Sequence, residues 1–350
     1  MERQDKGMPF LLQYENVAWY ENGVVRILDR RIFPKQKKFV CCKTYHEIIK
    51  AIQDMVTQSA GPYTAVGMGM ALAAYECKDK TEEKQIAFLT KAAKELGNAR
   101  PTTANRYSAI TNRILELQKE AIAKGQSPIQ AAFDDTLASL NRRYSTMQKV
   151  GNYLVDLMPN NSTFLTQCYG ETIIGAIIRR AKETNKNLRA YDAATEPFLQ
   201  GSRLTASCFK EAGFDTTVVD DNMVNFVLER GDIDFYTSAA DSIAMDGHIA
   251  NKIGTKQIAV LAKRTEVPYF VTGIPDQDKL NGKAIEIEYR DPEQALEFNG
   301  QRIAMEGVNS FYPAFDVTPP TLIDAIVTDK GVFSPFNLKE YANLGKENFY

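Results

Sequence analysis

A change of period near Pro159 constrains this chain more than any other feature. Beyond it, short apolar runs alternate with helical ones. STFLTQC is followed by ETIIGAIIRRAKETN, NLRAYDA by GSRLTASCFKEAG, and DTTVVDD by NMVNFVLERG; DIDFYTSAAD comes next, then a helix and a strand within TKQIAVLAKRTEVPYFVTG. Strands separated by helices do not pair as tight hairpins. The crossover returns the chain parallel to itself, so the pattern predicts a parallel sheet with helices on its faces. In such sheets ligands bind outside the carboxyl ends of the strands. That rule singles out Cys168, Asp192, Asp220 with Asp221, and Asp241, each where a strand hands over to a helix.

The first part of the chain has a different texture. LLQYENVAWYENGVVRILDRRIFP alternates apolar and polar residues around Asn22–Gly23, a hairpin signal. YHEIIKAIQDMV, EKQIAFLTKAAKELG, RYSAITNRILELQKEAIAKG and the run from Ile129 to Met158 then place apolar residues at helical spacing. Breakers separate them at Gly61–Pro62, Arg100–Pro101 and Gly125 with Pro128. This predicts a small strand region and a helical domain over residues 1–158, and an α/β domain over 159–350. The 350 residues suffice for two domains, and 44% hydrophobic with 25% charged residues is ordinary for a soluble globular protein. A net charge of -2 gives no electrostatic case for nucleic acid or an anionic membrane. No apolar run is long enough to span a bilayer, and MERQDKGMPF lacks a signal-peptide core. Five irregularly spaced cysteines suggest neither a disulfide framework nor zinc, so a reducing cytoplasm is expected.

Cys168 lies just before a helix expected to begin near Glu171. A helix N-terminus stabilises an anion and can activate a thiol, although a nearby Glu171 carboxylate would act the other way. Free cysteines are more often small apolar fillers. Asp241, ringed by small residues and partly desolvated, would suit a general acid; otherwise it is an N-cap. Beyond it, Asn251 and Lys252 could meet a hydroxyl and a phosphate, or lie in a solvated turn. Gln200–Gly201 stands before a helix whose N–H groups could receive a phosphate. There is no GxGxxG or GxxxxGK[ST] pattern, and His46 and His248 are too isolated for a metal site.

RPTTAN at Arg100, LQGSRLTA at Leu199, DDNM at Asp220 and ADSIAMDGHIANKIGT at Ala240 occur in one order. Together they resemble the family of methylthioribose-1-phosphate isomerase, ribose-1,5-bisphosphate isomerase and the regulatory subunits of translation initiation factor 2B. The resemblance runs from the N-terminal hairpin to YPAFDVTPPTLIDAIVTDKGV. It implies an α/β fold: an N-terminal β-hairpin region plus helical domain, then a Rossmann-like C-terminal domain with a mainly parallel sheet, in a homodimer. It implies Cys168 and Asp241 as catalytic residues, and Gly61, Arg100, Gln200, Asn251 and Lys252 as substrate-binding ones. The implied chemistry is conversion of a sugar 1-phosphate to the ketose 1-phosphate without metal or organic cofactor. Asp241 would protonate the ring oxygen, Cys168 would carry a proton from carbon 2 to carbon 1, and Arg100 and Lys252 would hold the phosphate.

The chain departs from the family near this site. The Arg-Gly-Ala-Pro loop is represented by QSAGPYTAVG, which lacks the arginine and adds Tyr63–Thr64. Thr-His-Cys-Asn-Ala-Gly becomes Thr166-Gln167-Cys168-Tyr169-Gly170-Glu171, and Asp-Glu-Thr-Arg-Pro becomes Ala193-Ala194-Thr195-Glu196-Pro197. The arginine after the catalytic aspartate is Ser242. Each lost arginine removes a bidentate anion clamp. The alternative is a non-catalytic sugar-phosphate- or nucleotide-binding regulatory protein like the initiation-factor subunits, or a paralogue whose dimer interface is its function.

Overall fold

The Asn22–Gly23 pair takes positive φ at both residues and turns strand β1 (Ala18–Glu21) into β2 (Val24–Leu28), as a two-residue hairpin of this sequence should. The computed structural model describes residues 3–100, 104–298 and 300–345. A third strand, β3 (Phe39–Cys42), pairs with β2; its FVCC sequence gave no alternation to read. Residues Phe10–Leu12 and Tyr14–Asn16 form short 3₁₀ turns, so the expected alternation begins only at Ala18.

Helix α1 (Tyr45–Gln53) starts at a capping box. Thr44 accepts from the Glu47 N–H while the Glu47 carboxylate accepts from the Thr44 N–H. Helix α2 (Gly61–Glu76) was missed. Gly61–Pro62 is not a break but its first turn, where proline's absent N–H costs nothing. The helix is buried on nearly all sides, so it carries no polar stripe and no period. A Cβ on Gly67 would lie 2.4 Å from Thr136 Oγ1, which explains the small residue there. Helices α3 (Glu82–Gly97), α4 (Ala104–Ala123) and α5 (Pro128–Leu157) follow the predicted runs.

The chain divides into two compact units, Met1–Ser145 and Thr146–Glu347, with the division inside α5. In the second unit, β4 (Thr163–Gln167), α6 (Glu171–Glu183), β5 (Arg189–Ala193), α7 (Ala206–Glu211), β6 (Asp215–Val219), α8 (Val224–Glu229) and β7 (Phe235–Ala239) reproduce the predicted alternation. Next come the short antiparallel strands β8 (Ser242–Ile243) and β9 (Ile249–Lys252), joined around Asp246–Gly247. Then follow α9 (Thr255–Arg264), β10 (Tyr269–Thr272), the two-residue strands β11 (Glu297–Phe298) and β12 (Gln301–Arg302), β13 (Phe315–Thr318), β14 (Ala325–Thr328), β15 (Gly331–Phe333) and α10 (Lys339–Asn343).

The main sheet has the order β15-β14-β10-β7-β4-β5-β6. All its pairings are parallel except β14–β15. The chain runs outward from β4 to β6 and then returns to the other side of β4 at β7. Right-handed crossovers in opposite directions put their helices on opposite faces. Between β4 and β7 the loops therefore diverge, which opens a crevice at the carboxyl ends of those two strands. The fold is mixed α/β with a mainly parallel sheet and a helical region.

Candidate active site

Cys168 and Asp241 leave the sheet at this divergence, one residue beyond β4 and two beyond β7. Cys168 is partly accessible and its backbone is left-handed, with φ 57°. A non-glycine residue there costs on the order of 1–2 kcal/mol and persists only when its surroundings hold it. Two threonines do so: the Cys168 N–H donates to Thr195 Oγ1 at 2.8 Å, and Thr205 Oγ1 donates to the Cys168 carbonyl. Thr195 and Leu199 are also left-handed, at 69° and 53°. Asp221 fixes that loop by accepting the N–H groups of Thr195 and Glu196, both at 2.8 Å.

The same loop carries Gln200, which is buried and whose Oε1 makes no hydrogen bond among the described residues. Gly201 is required by close approach: a Cβ there would lie 1.8 Å from the Ala193 carbonyl oxygen. Asn251 and Lys252 are not in a solvated turn. They form the end of β9, antiparallel to β13, and both are buried. Gln167, standing where the resembled family has histidine, donates through Nε2 to the Lys252 carbonyl at 3.3 Å and to Thr255 Oγ1. Thr255 Oγ1 donates to the same carbonyl at 2.7 Å, and Asn251 Nδ2 donates to Thr255 Oγ1 at 3.0 Å. The Asp241 N–H donates to the Ala250 carbonyl at 2.9 Å. Strand ends β4, β7 and β9 are thus tied together beneath the thiol.

Burial pushes the Cys168 thiol up, as does Asp241, against the opposing pull of Lys252 and Arg290. The direction is opposite to the lowering expected of the α6 N-terminus and favours the thiol over the thiolate. Burial, and then the neighbouring Arg290, lower Lys252 to about 8; Cys168, Asp241 and Glu288 act the other way. Cys168, Asp241 and Lys252 are electrostatic neighbours in one site. Asp241 itself is exposed, contrary to the expectation of a desolvated acid. It stands two residues past β7, immediately before β8.

Sequence reasoning missed Arg290 and Glu288. They lie in IEIEYR, whose apolar–polar alternation reads as a strand but marks no site. Backbone bonds from the Arg290 N–H to Tyr312 and from the Ala314 N–H to Glu288 hold that stretch beside the residues leading into β13. Asp192 is a correction. It does not end its strand but lies inside β5, wholly buried, with neither carboxylate oxygen hydrogen-bonded among the described residues. Desolvation alone holds its carboxyl well above the usual range. Ser242, where an arginine was expected, donates to Asp276 Oδ2 at 2.5 Å and accepts from Lys279 at 2.7 Å.

Gly61 and Arg100 belong to the first unit. Gly61 opens α2, and a Cβ there would lie 2.1 Å from Thr57 Oγ1. The added Tyr63 and Thr64 meet arginines. Arg143 Nη2 donates to Thr64 Oγ1 at 3.0 Å, its guanidinium lies 5.7 Å from the Tyr63 ring centre, and Arg106 donates to the Tyr63 hydroxyl at 3.3 Å. Arg100 is the last described residue before 101–103, so Pro101, Thr102 and Thr103 of its motif lie outside the described residues.

Known proteins match this chain over most of its length. A methylthioribose-1-phosphate isomerase of Thermotoga maritima is 35% identical over 339 residues, 93% of this chain and 96% of its own. The crystal structure of 5-methylthioribose 1-phosphate isomerase from Pyrococcus horikoshii superposes with a TM-score of 0.80 at 31% identity, covering 94% of this chain and 96% of that one. Subunit delta of translation initiation factor eIF-2B from A. fulgidus gives 0.77 at 28% identity, covering 91% and 96%. Residues 59–335, from the turn before α2 to the strand pair that closes the sheet, match the Initiation factor 2 subunit family, and to that family this chain belongs.

Proposed function

We propose that this chain is an aldose–ketose isomerase that converts a sugar 1-phosphate, methylthioribose 1-phosphate or a related pentose 1-phosphate, to the ketose 1-phosphate. The observation that carries the reading is the grouping of Cys168, Asp241 and Lys252 at the crevice between β4 and β7. The names of the relatives above support the same reaction class. In this reading a Rossmann-like domain over 159–350 carries the chemistry and a strand-and-helix domain covers 1–158. The protein works as a cytoplasmic homodimer.

The reaction balances with two groups. Asp241, as carboxylic acid, protonates the ring oxygen as the C1–O bond breaks. Cys168, as thiolate, removes the proton from C2 and leaves an enol phosphate with a C1=C2 bond. The thiol then returns that proton to C1. Asp241 takes the proton of the C2 hydroxyl as the ketone forms, and both groups end as they began. The pair therefore starts with one proton between them. At rest it sits on sulfur, where burial favours it; substrate binding must move it to the carboxylate. Exclusion of water from the now exposed Asp241 by the bound sugar favours that transfer. Lys252, with Asn251 and Gln200 of the same unit, holds the phosphate.

The test is a panel of methylthioribose, 5-deoxyribose and ribose 1-phosphates and ribose 1,5-bisphosphate, followed by NMR for ketose formation. Turnover of one supports the reading. Binding without turnover favours the regulatory alternative, which the likeness to the delta subunit keeps in view.

A further inference from the structure

Arg290 is the polar group that the proposed reaction leaves unused. Its side chain is 9% exposed, and Nε donates to Glu288 Oε1 at 3.0 Å. Its guanidinium carbon lies 5.9 Å from the ring centres of each of Phe198, Tyr312 and Phe315. Lys252 Nζ lies 5.1 Å from the centre of the same Phe315 ring. Two cations thus share one aromatic support, beside Cys168. Nη1 of Arg290 is buried and makes no hydrogen bond among the described residues. A buried, unused donor on a charged group is costly unless a ligand meets it.

We propose that Arg290 is a ligand-binding residue whose Nη1 donates to an oxygen of the phosphate monoester dianion held at Lys252. The inference rests on the sugar-phosphate reading above and deepens it. Glu288 holds the guanidinium through Nε and leaves Nη1 without a hydrogen bond among the described residues, a donor that suits an oxygen of a tetrahedral oxyanion. The Phe198 and Phe315 rings hold the guanidinium without competing for its donors, and the Tyr312 hydroxyl is the ring substituent that interacts with it. Glu288 is hydrogen-bonded to Arg290, and an incoming dianion adds negative charge beside both Arg290 and Lys252. Three of the family's arginines near the site are absent, and Arg290 supplies one fork in their place.

The pair also predicts a pH signature. Lys252 faces Arg290, Cys168, Asp241 and Glu288, and Arg290 is the largest charge lowering it. Anion affinity should fall above about pH 8, where Lys252 loses its proton. Removing Arg290 lets Lys252 keep its proton to higher pH, so the fall should move upward.

Isothermal titration calorimetry of the full chain tests this with inorganic phosphate and ribose 1-phosphate as probes, across pH 7–10. R290Q should bind both at least tenfold more weakly at pH 7, with the alkaline fall displaced to higher pH. R290K, which keeps the charge and the aliphatic stem but loses the fork, should bind at least severalfold more weakly, and it decides the matter if R290Q does not fold. Weakening toward ribose 1-phosphate alone would place Nη1 on the sugar and overturn the phosphate contact. Wild-type affinity and an unshifted pH profile in the folded variants would overturn this inference and leave the isomerase reading standing. Failure of the wild-type protein to bind either probe would overturn the phosphate contact, and failure to bind any compound of the panel above would overturn the isomerase reading as well.

Discussion

Replacing Asp192 with asparagine should stabilise the protein, by an amount that grows with pH. Asp192 is wholly buried in β5, the second strand from one edge of the sheet, with no hydrogen bond to either oxygen among the described residues and burial as the sole cause of its raised pKa. An unfolded aspartate titrates near roughly 3.9. Above that pH the unfolded chain releases the proton that the folded chain still holds. Stability is thus fully present below about pH 3.9 and is lost as pH rises toward the folded pKa, at about 1.4 kcal/mol per unit. Asparagine has the same shape and no charge, so its protein lacks this slope. Per pH unit between about 3.9 and the folded pKa, the variant should gain about 1.4 kcal/mol on the wild type. For a unit of this size that is a relative shift of roughly 3–6 °C in melting temperature. Scanning calorimetry of both proteins at pH 5, 6 and 7 measures it. Parallel profiles would refute the claim that the carboxyl is held neutral by burial.

Three further outcomes follow from the geometry. Gly201→Ala drives a methyl into the Ala193 carbonyl, which cannot move without distorting β5. It should cost about 1–3 kcal/mol in thermal melting and weaken sugar-phosphate binding by displacing Gln200. Thr44→Ala removes one half of the α1 capping box and should cost about 1 kcal/mol while leaving kcat unchanged. Cys168→Ala and Asp241→Asn should each reduce kcat at least about a hundredfold with folding intact, as expected of general acid–base groups, and near-normal turnover in either would remove that residue from the mechanism.

What the sequence reveals here depends on how much of a residue's fate is local. The Asn22–Gly23 turn, the Thr44 cap and the strand–helix alternation after Pro159 are set by residues within a few positions of one another, and all are readable. Helix α2 is not, because a helix buried on nearly every side loses the polar stripe that marks a helix, and its opening Gly-Pro resembles a stop. Cys168 and Asp241 could be picked out because the sheet rule points to strand ends. The same rule pointed to Asp192, whose register one residue earlier turns it into the core instead. Asn251 and Lys252 were legible as motif residues, but their strand was not: β9 pairs with β13, more than sixty positions away. Glu288 and Arg290 sit in the alternating run Ile285 to Arg290, a local signal that reads strand and says nothing of a site. Their meaning comes from the aromatic side chains of Phe198, Tyr312 and Phe315, which only the folded chain assembles.

The most direct test of the central claim is a single experiment with a sugar 1-phosphate deuterated at C2, chosen from whichever compound the protein binds most tightly. Incubated with the wild-type protein and followed by NMR, it should yield the ketose 1-phosphate with part of the deuterium at C1, because the Cys168 thiol carries it there. The Cys168→Ala protein should yield none. Ketose formed with all of the deuterium lost to water would contradict the direct transfer by Cys168, and no ketose from any compound of the panel would contradict the isomerase reading itself.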